Sequence, residues 1–202
     1  MIVDIMLAVG IIFFCYIIGS FPTAYILVKK LKGIDIRTVG SGNVGASNAA
    51  RVLGKWGFIT VLLADALKGF VPVIVLKTVY GYHDFVLLGA VAVIIGHSYT
   101  IFLGFKGGKG VATGLGIFIA LAPSELMVAA VVFAAVLAVF RMVSLSSVTA
   151  VIFLAAMVWY GSDWTHLKYF TIVIALLIIY LHRSNLQRIV RGEERKIGKR
   201  TS

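Results

Sequence analysis

The sequence predicts an all-α integral membrane protein, a bundle of about seven transmembrane helices with short interfacial helices. Two observations support this: 60% of the 202 residues are hydrophobic, and the mean hydropathy is +1.02. Soluble domains average about 45–50% apolar residues. The apolar runs are also continuous rather than alternating, and about 20 such residues cross a ~30 Å hydrocarbon layer as a helix. We therefore expect one membrane-embedded domain over residues 1–202.

Seven apolar segments are expected to cross the membrane. The fourth and fifth are short and flank Pro123, so a broken or tilted hairpin would also fit there. No basic stretch precedes the first segment, which predicts a retained helix rather than a signal peptide. The segments are Ile5 to Val28, Phe58 to Leu76, Phe85 to Leu103, Val111 to Ala122, Leu126 to Phe140, Val143 to Tyr160 and Leu167 to Leu181.

Charge alternates between successive connections. Asp4, Asp84, Glu125 and Asp163 lie on one side with Lys77 and Lys168. The other side carries Lys29, Lys30, Lys32, Arg37, Arg51, Lys55, Lys106, Lys109, Arg141, Arg183, Arg188, Arg191, Arg195, Lys196, Lys199 and Arg200. The positive-inside rule places the basic side in the cytoplasm, with the N-terminus outside and the C-terminus inside. The net charge of +11 therefore indicates anionic headgroups and phosphate substrates as partners, and no nucleic acid.

The first cytoplasmic connection is rich in glycine. Its Gly40, Gly42 and Gly45 satisfy G-x-G-x-x-G, but no strand or βαβ unit surrounds them, so a dinucleotide site is excluded. Glycines that let amides converge on an anion, next to a helix N-terminus, still suit a phosphate. We expect Asn43 to cap a short helix whose polar face carries Ser47, Asn48 and Arg51; a flexible loop is the alternative. The candidate binding residues here are Gly40, Ser41, Gly42, Asn43, Asn48 and Arg51.

A second glycine-rich connection runs from Gly104 to Thr113. It is not a Walker A loop, because Gly110 rather than Ser or Thr follows Lys109. A glycine nest with a lysine point charge can nevertheless hold a phosphate. Close helix packing is the alternative reason for Gly114 and Gly116. The candidate binding residues are Lys106, Gly107, Gly108, Lys109 and Gly110.

The basic tail after the last segment predicts an amphipathic helix. In such a helix His182 and Asn185 share the apolar face, and the arginines take the other. A helix lying on anionic lipid would explain the arginines. It would not explain the His and Asn, because polar groups turned toward apolar surroundings need partners.

Three polar residues lie inside or at the end of apolar segments. Asp65 and Lys68 are three residues apart and can share a helix face, either as a structural ion pair or in support of a site. His97 is expected to be a hydrogen-bonded structural histidine. The sequence predicts no metal site, since no acidic cluster is present, and the single cysteine, Cys15, excludes a disulfide or a Cys/His cluster. An enzyme and a transporter of a phosphate-bearing anion both remain open at this point.

The three polar segments, in order, resemble the motifs of the PlsY family, the bacterial membrane acyl-phosphate:glycerol-3-phosphate acyltransferases. The segments are Gly40-Ser-Gly-Asn-Val-Gly-Ala-Ser-Asn48 through Arg51, Gly96 to Thr113, and His182-Arg-Ser-Asn185 through Glu194. The resemblance implies transfer of an acyl group from acyl phosphate to the sn-1 hydroxyl of glycerol 3-phosphate, giving lysophosphatidate and inorganic phosphate without a cofactor. It also implies a multi-pass protein of the bacterial inner membrane with a cytoplasmic active site, functionally coupled to an enzyme that produces acyl phosphate.

The resemblance also implies roles for individual residues. Lys109, with the amides of the 107–110 loop, would hold the phosphate of glycerol 3-phosphate. Arg51 with Ser41 would hold the donor phosphate or the developing oxyanion, and Ser41 as a covalent nucleophile is the alternative. His182, oriented by Asn185, would accept the hydroxyl proton directly or through a phosphate oxygen. Ser147 would add a polar contact, and Glu194 would be structural.

Overall fold

The computed structural model describes residues 2–197, and this part of the chain contains helices and no strands. Its α-helices are α1 (Ile2–Ser20), α2 (Thr23–Lys32), α3 (Ala46–Tyr80), α4 (Asp84–Ser98), α5 (Val111–Leu121), α6 (Pro123–Phe140), α7 (Val143–Gly161), α8 (Thr165–Leu181) and α9 (Arg183–Val190). Short 3₁₀ turns occupy Ile36–Thr38 and Ile101–Leu103. The basic residues Lys199 and Arg200 lie outside the described residues.

The helices confirm an all-α, multi-pass membrane protein. Within the described residues, five helical segments are long and apolar enough to span a bilayer, or six if α8 and α9, which meet at 58°, count as one. The first of these segments runs over Ile2–Lys32 and combines α1 with α2. Each of the seven predicted segments lies mostly in helix, although the third runs past the end of α4 at Ser98 into the 3₁₀ turn at Ile101–Leu103. The fourth, α5, has only 11 residues and is too short to span as a straight helix.

Two breaks interrupt the helical segments, and one of them falls inside a predicted span. The expected first span, Ile5 to Val28, is broken at Phe21 and Pro22, because proline lacks an N–H and its ring clashes with the preceding turn. Within α3, Gly54 takes φ +72° and ψ −159°, which ends a short helical piece that begins at Ala46. Only glycine adopts such a conformation readily. The short helix after the first glycine-rich connection is thus separated from the long apolar helix by one residue.

The chain divides into two compact units, Met1–Leu121 and Ala122–Ser202. In the first unit, which contains α1 to α5, helices approach closely at glycines. A Cβ at any of four positions would overlap the backbone of the facing helix, so these glycines allow the close packing typical of membrane helices. The contacts are Gly19 on Val93, Gly96 on Tyr16, Gly69 on Thr113, and Gly116 on Ala66.

The second unit contains α6 to α9. Helices α6 and α7 form a hairpin joined by Arg141 and Met142, with Arg141 in the left-handed region at φ +56°. The segment after α9 returns to this hairpin, where the amide of Ile197 donates to the carbonyl of Arg141 at 2.8 Å. The end of the described chain is therefore tied to the α6–α7 connection.

Candidate functional site

The first glycine-rich loop is organised by a buried asparagine. Asn48 is 1% exposed, and its Nδ2 donates to the carbonyls of Ile36 and Val39, both at 3.0 Å. Its Oδ1 accepts from the amide of Ser41 at 2.9 Å. Asn48 was expected to contact substrate, but its side chain is committed to the loop. It fixes the loop's shape because leaving these buried groups unpaired would be costly.

Two glycines allow that arrangement. Gly40 and Gly42 lie at φ +61° and +70°, a region that residues with a Cβ rarely adopt. A Cβ on Gly40 would overlap Asn48 Oδ1 and lie 3.3 Å from Arg51 Cδ. The Arg51 side chain therefore passes close to Gly40, and both Ser41 and Arg51 are exposed. The Ser41 hydroxyl on the loop and the Arg51 guanidinium from the first turns of α3 are therefore both at the protein surface.

The helix that follows this loop is not capped by Asn43, which corrects the sequence-based expectation. The N-cap residue of α3 is Gly45, at φ −143° and ψ 172°, so no side chain caps the helix with a hydrogen bond. Asn43 is half-buried and lies beside Gly45, where a Cβ would be 3.0 Å from Asn43 Nδ2.

Ahead of the loop, hydrogen bonds from Arg37 outweigh a slight burial effect and lower the pKa of Asp35.

The second glycine-rich loop uses two of its amides inside the protein. The amide of Gly107 donates to the carbonyl of Ser98 at 3.0 Å, and that of Gly108 donates to the carbonyl of His97 at 3.1 Å. The expectation that these two amides bind phosphate is therefore corrected: both glycines serve the close approach of the loop to the end of α4. A Cβ on Gly107 would overlap His97 O, and a Cβ on Gly108 would overlap the His97 ring.

The cationic part of this loop precedes a helix N-terminus. Lys106 is exposed and Lys109 is half-buried, and Gly110, at φ +80°, leads into α5. The N-terminus of a helix carries unsatisfied N–H groups and a partial positive charge. Lys109 and the start of α5 are therefore the part of this loop with positive charge and positive partial charge.

The two loops lie against each other within the first unit. A Cβ on Gly108 would be 3.1 Å from the carbonyl of Val44. Val44 is buried in a cluster with Ile36, Ala49 and Leu103. An apolar core thus holds the polar residues of both loops at fixed positions.

A buried ion pair lies behind these loops. Lys68 Nζ is 2.8 Å from Asp65 Oδ1 and donates to the carbonyl of Phe21 at 2.9 Å. Thr23 Oγ1 donates to the same Asp65 oxygen at 3.1 Å, and His97 Nδ1 lies 3.9 Å from it. Two of the contacts that hold the pair therefore come from Phe21, in the break between α1 and α2, and from Thr23, the first residue of α2.

In the second unit, His182 lies at the bend between α8 and α9 and is 4% exposed. Its Nδ1 is 2.8 Å from the carbonyl of Ile178. A carbonyl only accepts hydrogen bonds, so Nδ1 must carry the hydrogen. In the neutral ring, Nε2 then holds a lone pair, which is the state that a general base needs.

A carboxylate organises the third motif. Glu194 Oε1 accepts from Asn185 Nδ2 at 2.6 Å and from Ser144 Oγ at 2.7 Å, and Oε2 accepts from Arg188 Nε at 2.8 Å. Ser144 was not predicted, because nothing distinguishes it in sequence from Ser146 and Ser147. Ser147, a predicted contact, is buried and its Oγ donates to the carbonyl of Val143 at 2.8 Å.

The Glu194 network predicts a pH-dependent stability. Burial raises the pKa of Glu194, but hydrogen bonds from Asn185, Ser144 and Arg188 outweigh it and lower the pKa below its ordinary value. The stability that Glu194 contributes is thus present above its unfolded-state pKa of about 4.3 and is lost as pH falls through the folded-state pKa. We expect Glu194→Gln to lower stability by about 1–3 kcal/mol at pH 7.

Thermal unfolding of detergent-solubilised protein between pH 3 and 7.5 would measure this. The wild type should approach Glu194→Gln in stability as the pH falls. Glu193→Gln, at the exposed neighbouring position, is the control and should unfold like the wild type. A constant gap between wild type and Glu194→Gln over this range would contradict the prediction.

Comparison with known proteins places the chain among enzymes of lipid synthesis. A family model described as glycerol-3-phosphate acyltransferase matches residues 9–192. A protein named glycerol-3-phosphate acyltransferase from Endomicrobium trichonymphae is 44% identical over 182 residues, covering 90% of this chain and 92% of that protein. One of the same name from Aquifex aeolicus is 40% identical, covering 95% of this chain and all of that protein.

Two crystal structures match the fold. Both are of PlsY (YgiH), described as an integral membrane glycerol 3-phosphate acyltransferase. Its glycerol 3-phosphate form matches with a TM-score of 0.90 and 40% identity, covering 95% of this chain and 96% of the other. Its lysophosphatidic acid form matches with a TM-score of 0.88 and 38% identity, covering 95% of each.

Proposed function

Because this chain belongs to the glycerol-3-phosphate acyltransferase family, we propose that it transfers a fatty acyl group from acyl phosphate to the sn-1 hydroxyl of glycerol 3-phosphate. The products are lysophosphatidate and inorganic phosphate. The observation that carries the proposal is the likeness over 95% of the chain to an enzyme with a glycerol 3-phosphate form and a lysophosphatidic acid form. The names of those forms correspond to the acceptor and the product of such a reaction.

The donor is proposed from the chemistry of the loops. An acyl phosphate is already activated, so an enzyme must bind it, stabilise the charge that develops, and remove one proton. The exposed Ser41 on the first loop and the exposed Arg51 at the start of α3 suit a phosphate or an oxyanion, since guanidinium groups pair well with both. Lys109 and the N-terminus of α5 suit the phosphate of glycerol 3-phosphate.

The proposed step is a direct transfer. The sn-1 oxygen attacks the acyl carbonyl carbon, its proton passes to Nε2 of His182 directly or through a phosphate oxygen, and the carbon–oxygen bond to phosphate breaks. Inorganic phosphate leaves with the bonding electron pair. A covalent acyl-Ser41 intermediate is unnecessary for a donor of this reactivity.

The cellular setting is also proposed. The basic connections support a bacterial inner-membrane protein with its active site on the cytoplasmic face. Functional coupling to an enzyme that produces acyl phosphate would shorten the exposure of this reactive donor to water. Because the apolar helices lie in the bilayer, the acyl chain of the donor would reach the site from the surrounding lipid.

Phosphate release by the purified protein in lipidic medium tests the proposed function. With palmitoyl phosphate and glycerol 3-phosphate together, we expect release of phosphate in equal amounts with lysophosphatidate, and none when either substrate is omitted. Palmitoyl-CoA in place of palmitoyl phosphate should give no lysophosphatidate. Transfer from palmitoyl-CoA alone would overturn the proposed donor. Absence of transfer from every donor, with folded protein, would overturn the enzyme and lead to anion-flux assays in liposomes.

A further inference from the structure

We propose that His97 is a positioning residue for glycerol 3-phosphate: its backbone and ring together set the position of the 107–110 loop, and Asp65 holds the ring from behind. This inference rests on the proposed function. His97 lies in the last turn of α4 and is 6% exposed. It contributes no group to the anion site described above, so any effect on substrate must act through the loop.

The backbone at His97 fixes the first half of the loop. The carbonyls of His97 and Ser98 accept the amides of Gly108 and Gly107 at 3.1 and 3.0 Å. Two consecutive glycines are thus hydrogen-bonded to two consecutive carbonyls at the end of a helix. Lys109 and the start of α5 follow directly in the chain. The distance that these hydrogen bonds set between the two glycines and the end of α4 therefore determines the position of Lys109.

The ring of His97 fills the space that Gly108 leaves. A Cβ on Gly108 would overlap Nε2 of His97, so the ring edge is in contact with the loop backbone. On its opposite edge, Nδ1 is buried and has no hydrogen-bond partner among the described residues. It lies 3.9 Å from Asp65 Oδ1, beyond a direct hydrogen bond but close enough for electrostatic attraction to the carboxylate.

The carboxylate behind the ring is itself held by short contacts. Asp65 is paired with Lys68 and accepts a hydrogen bond from Thr23. Lys68 in turn donates to the carbonyl of Phe21. The ring of His97 is therefore held between a fixed charge and the loop. Displacements of a binding group by about 1 Å can cost about 100-fold in rate, so loss of this support should reach the substrate.

The test is a double-mutant cycle with a matched control. His97→Ala removes the ring, and Gly108→Ala adds a methyl group where the ring stood; each alone should raise KM for glycerol 3-phosphate about tenfold, with a much smaller change in kcat and in KM for palmitoyl phosphate. The double variant should be no worse than either single variant, because the vacated space accepts the new methyl group. Only the 3.1 Å approach to the Val44 carbonyl would remain.

Gly107→Ala is the matched control. Its Cβ would overlap the carbonyl oxygen of His97, which His97→Ala retains, so the defects of Gly107→Ala and His97→Ala should add. If His97→Ala does not fold, His97→Asn is used in the same two cycles, since it keeps a polar atom near Nδ1 and still vacates the space beside Gly108. Calorimetric titration of each variant with glycerol 3-phosphate alone reports binding without turnover.

The outcomes separate this inference from the proposed function. A wild type that neither binds glycerol 3-phosphate nor turns over would overturn the proposed function. A wild type that binds and turns over, with His97→Ala unchanged in KM and in calorimetric affinity, would overturn only the positioning role. Additive defects in the His97 and Gly108 cycle would do the same. Non-additivity confined to Gly108 would support it.

Discussion

Replacing His182 with alanine is expected to lower kcat by about 10²–10⁴-fold, with a far smaller effect on KM for glycerol 3-phosphate. General-base catalysis by a positioned side chain contributes a rate factor of that size. The hydrogen bond from Nδ1 to the carbonyl of Ile178 at 2.8 Å leaves Nε2 as the proton acceptor of the neutral ring. Removal of the ring deletes the proposed base but leaves intact the two glycine-rich loops proposed to bind phosphate.

Steady-state kinetics of His182→Ala, with palmitoyl phosphate and glycerol 3-phosphate varied in turn, would measure this effect. His166→Ala is the matched control, because His166 is exposed at the opposite end of α8, about 24 Å away along the helix. It should retain wild-type kcat. Equal thermal unfolding temperatures for the two variants would show that His182→Ala is folded. Undiminished turnover in folded His182→Ala would eliminate it as the base.

Replacing Asp65 with alanine is expected to destabilise the protein by about 3–5 kcal/mol. The side chains of Asp65 and Lys68 are 3% and 9% exposed and 2.8 Å apart. Removing one member of a buried pair leaves the other charge uncompensated in a medium of low dielectric constant, which costs about this much. Thr23 Oγ1, which donates to Asp65 at 3.1 Å, would lose its acceptor as well.

The double variant Asp65→Leu/Lys68→Met separates charge from packing. A buried ion pair replaced by apolar residues of similar size is often neutral or stabilising, so the double variant should recover most of the loss. Thr23→Val removes only one hydrogen bond and should cost about 1 kcal/mol. Unfolding monitored by titration with a denaturing detergent would give the differences. If Asp65→Ala is as stable as the wild type, the pair contributes nothing to the fold.

The site was only partly predictable from sequence. The three polar segments and their order were evident, because glycines, lysines and a histidine stand out against long apolar runs. The hydrogen bonds that these segments form were not evident from sequence. Asn48 was expected to face substrate, yet it is buried and bonded to the loop, and the partners of its Nδ2 lie nine and twelve residues away. Ser144 was also missed because its hydrogen-bond partner is distant in sequence: it donates to Glu194, fifty residues later.

The sequence by itself determined where the apolar helices lie, though not the break between α1 and α2, and it determined the multi-pass character of the chain. Continuous apolar runs in a bilayer leave the backbone no partner but its own helix, so hydropathy alone specifies these elements. The tertiary structure decided which amides of the glycine-rich loops are engaged, which residue caps α3, and where His97 stands between Asp65 and Gly108. Those outcomes depend on contacts between residues far apart in the chain. Local sequence pattern carries no information about such contacts until the helices have packed.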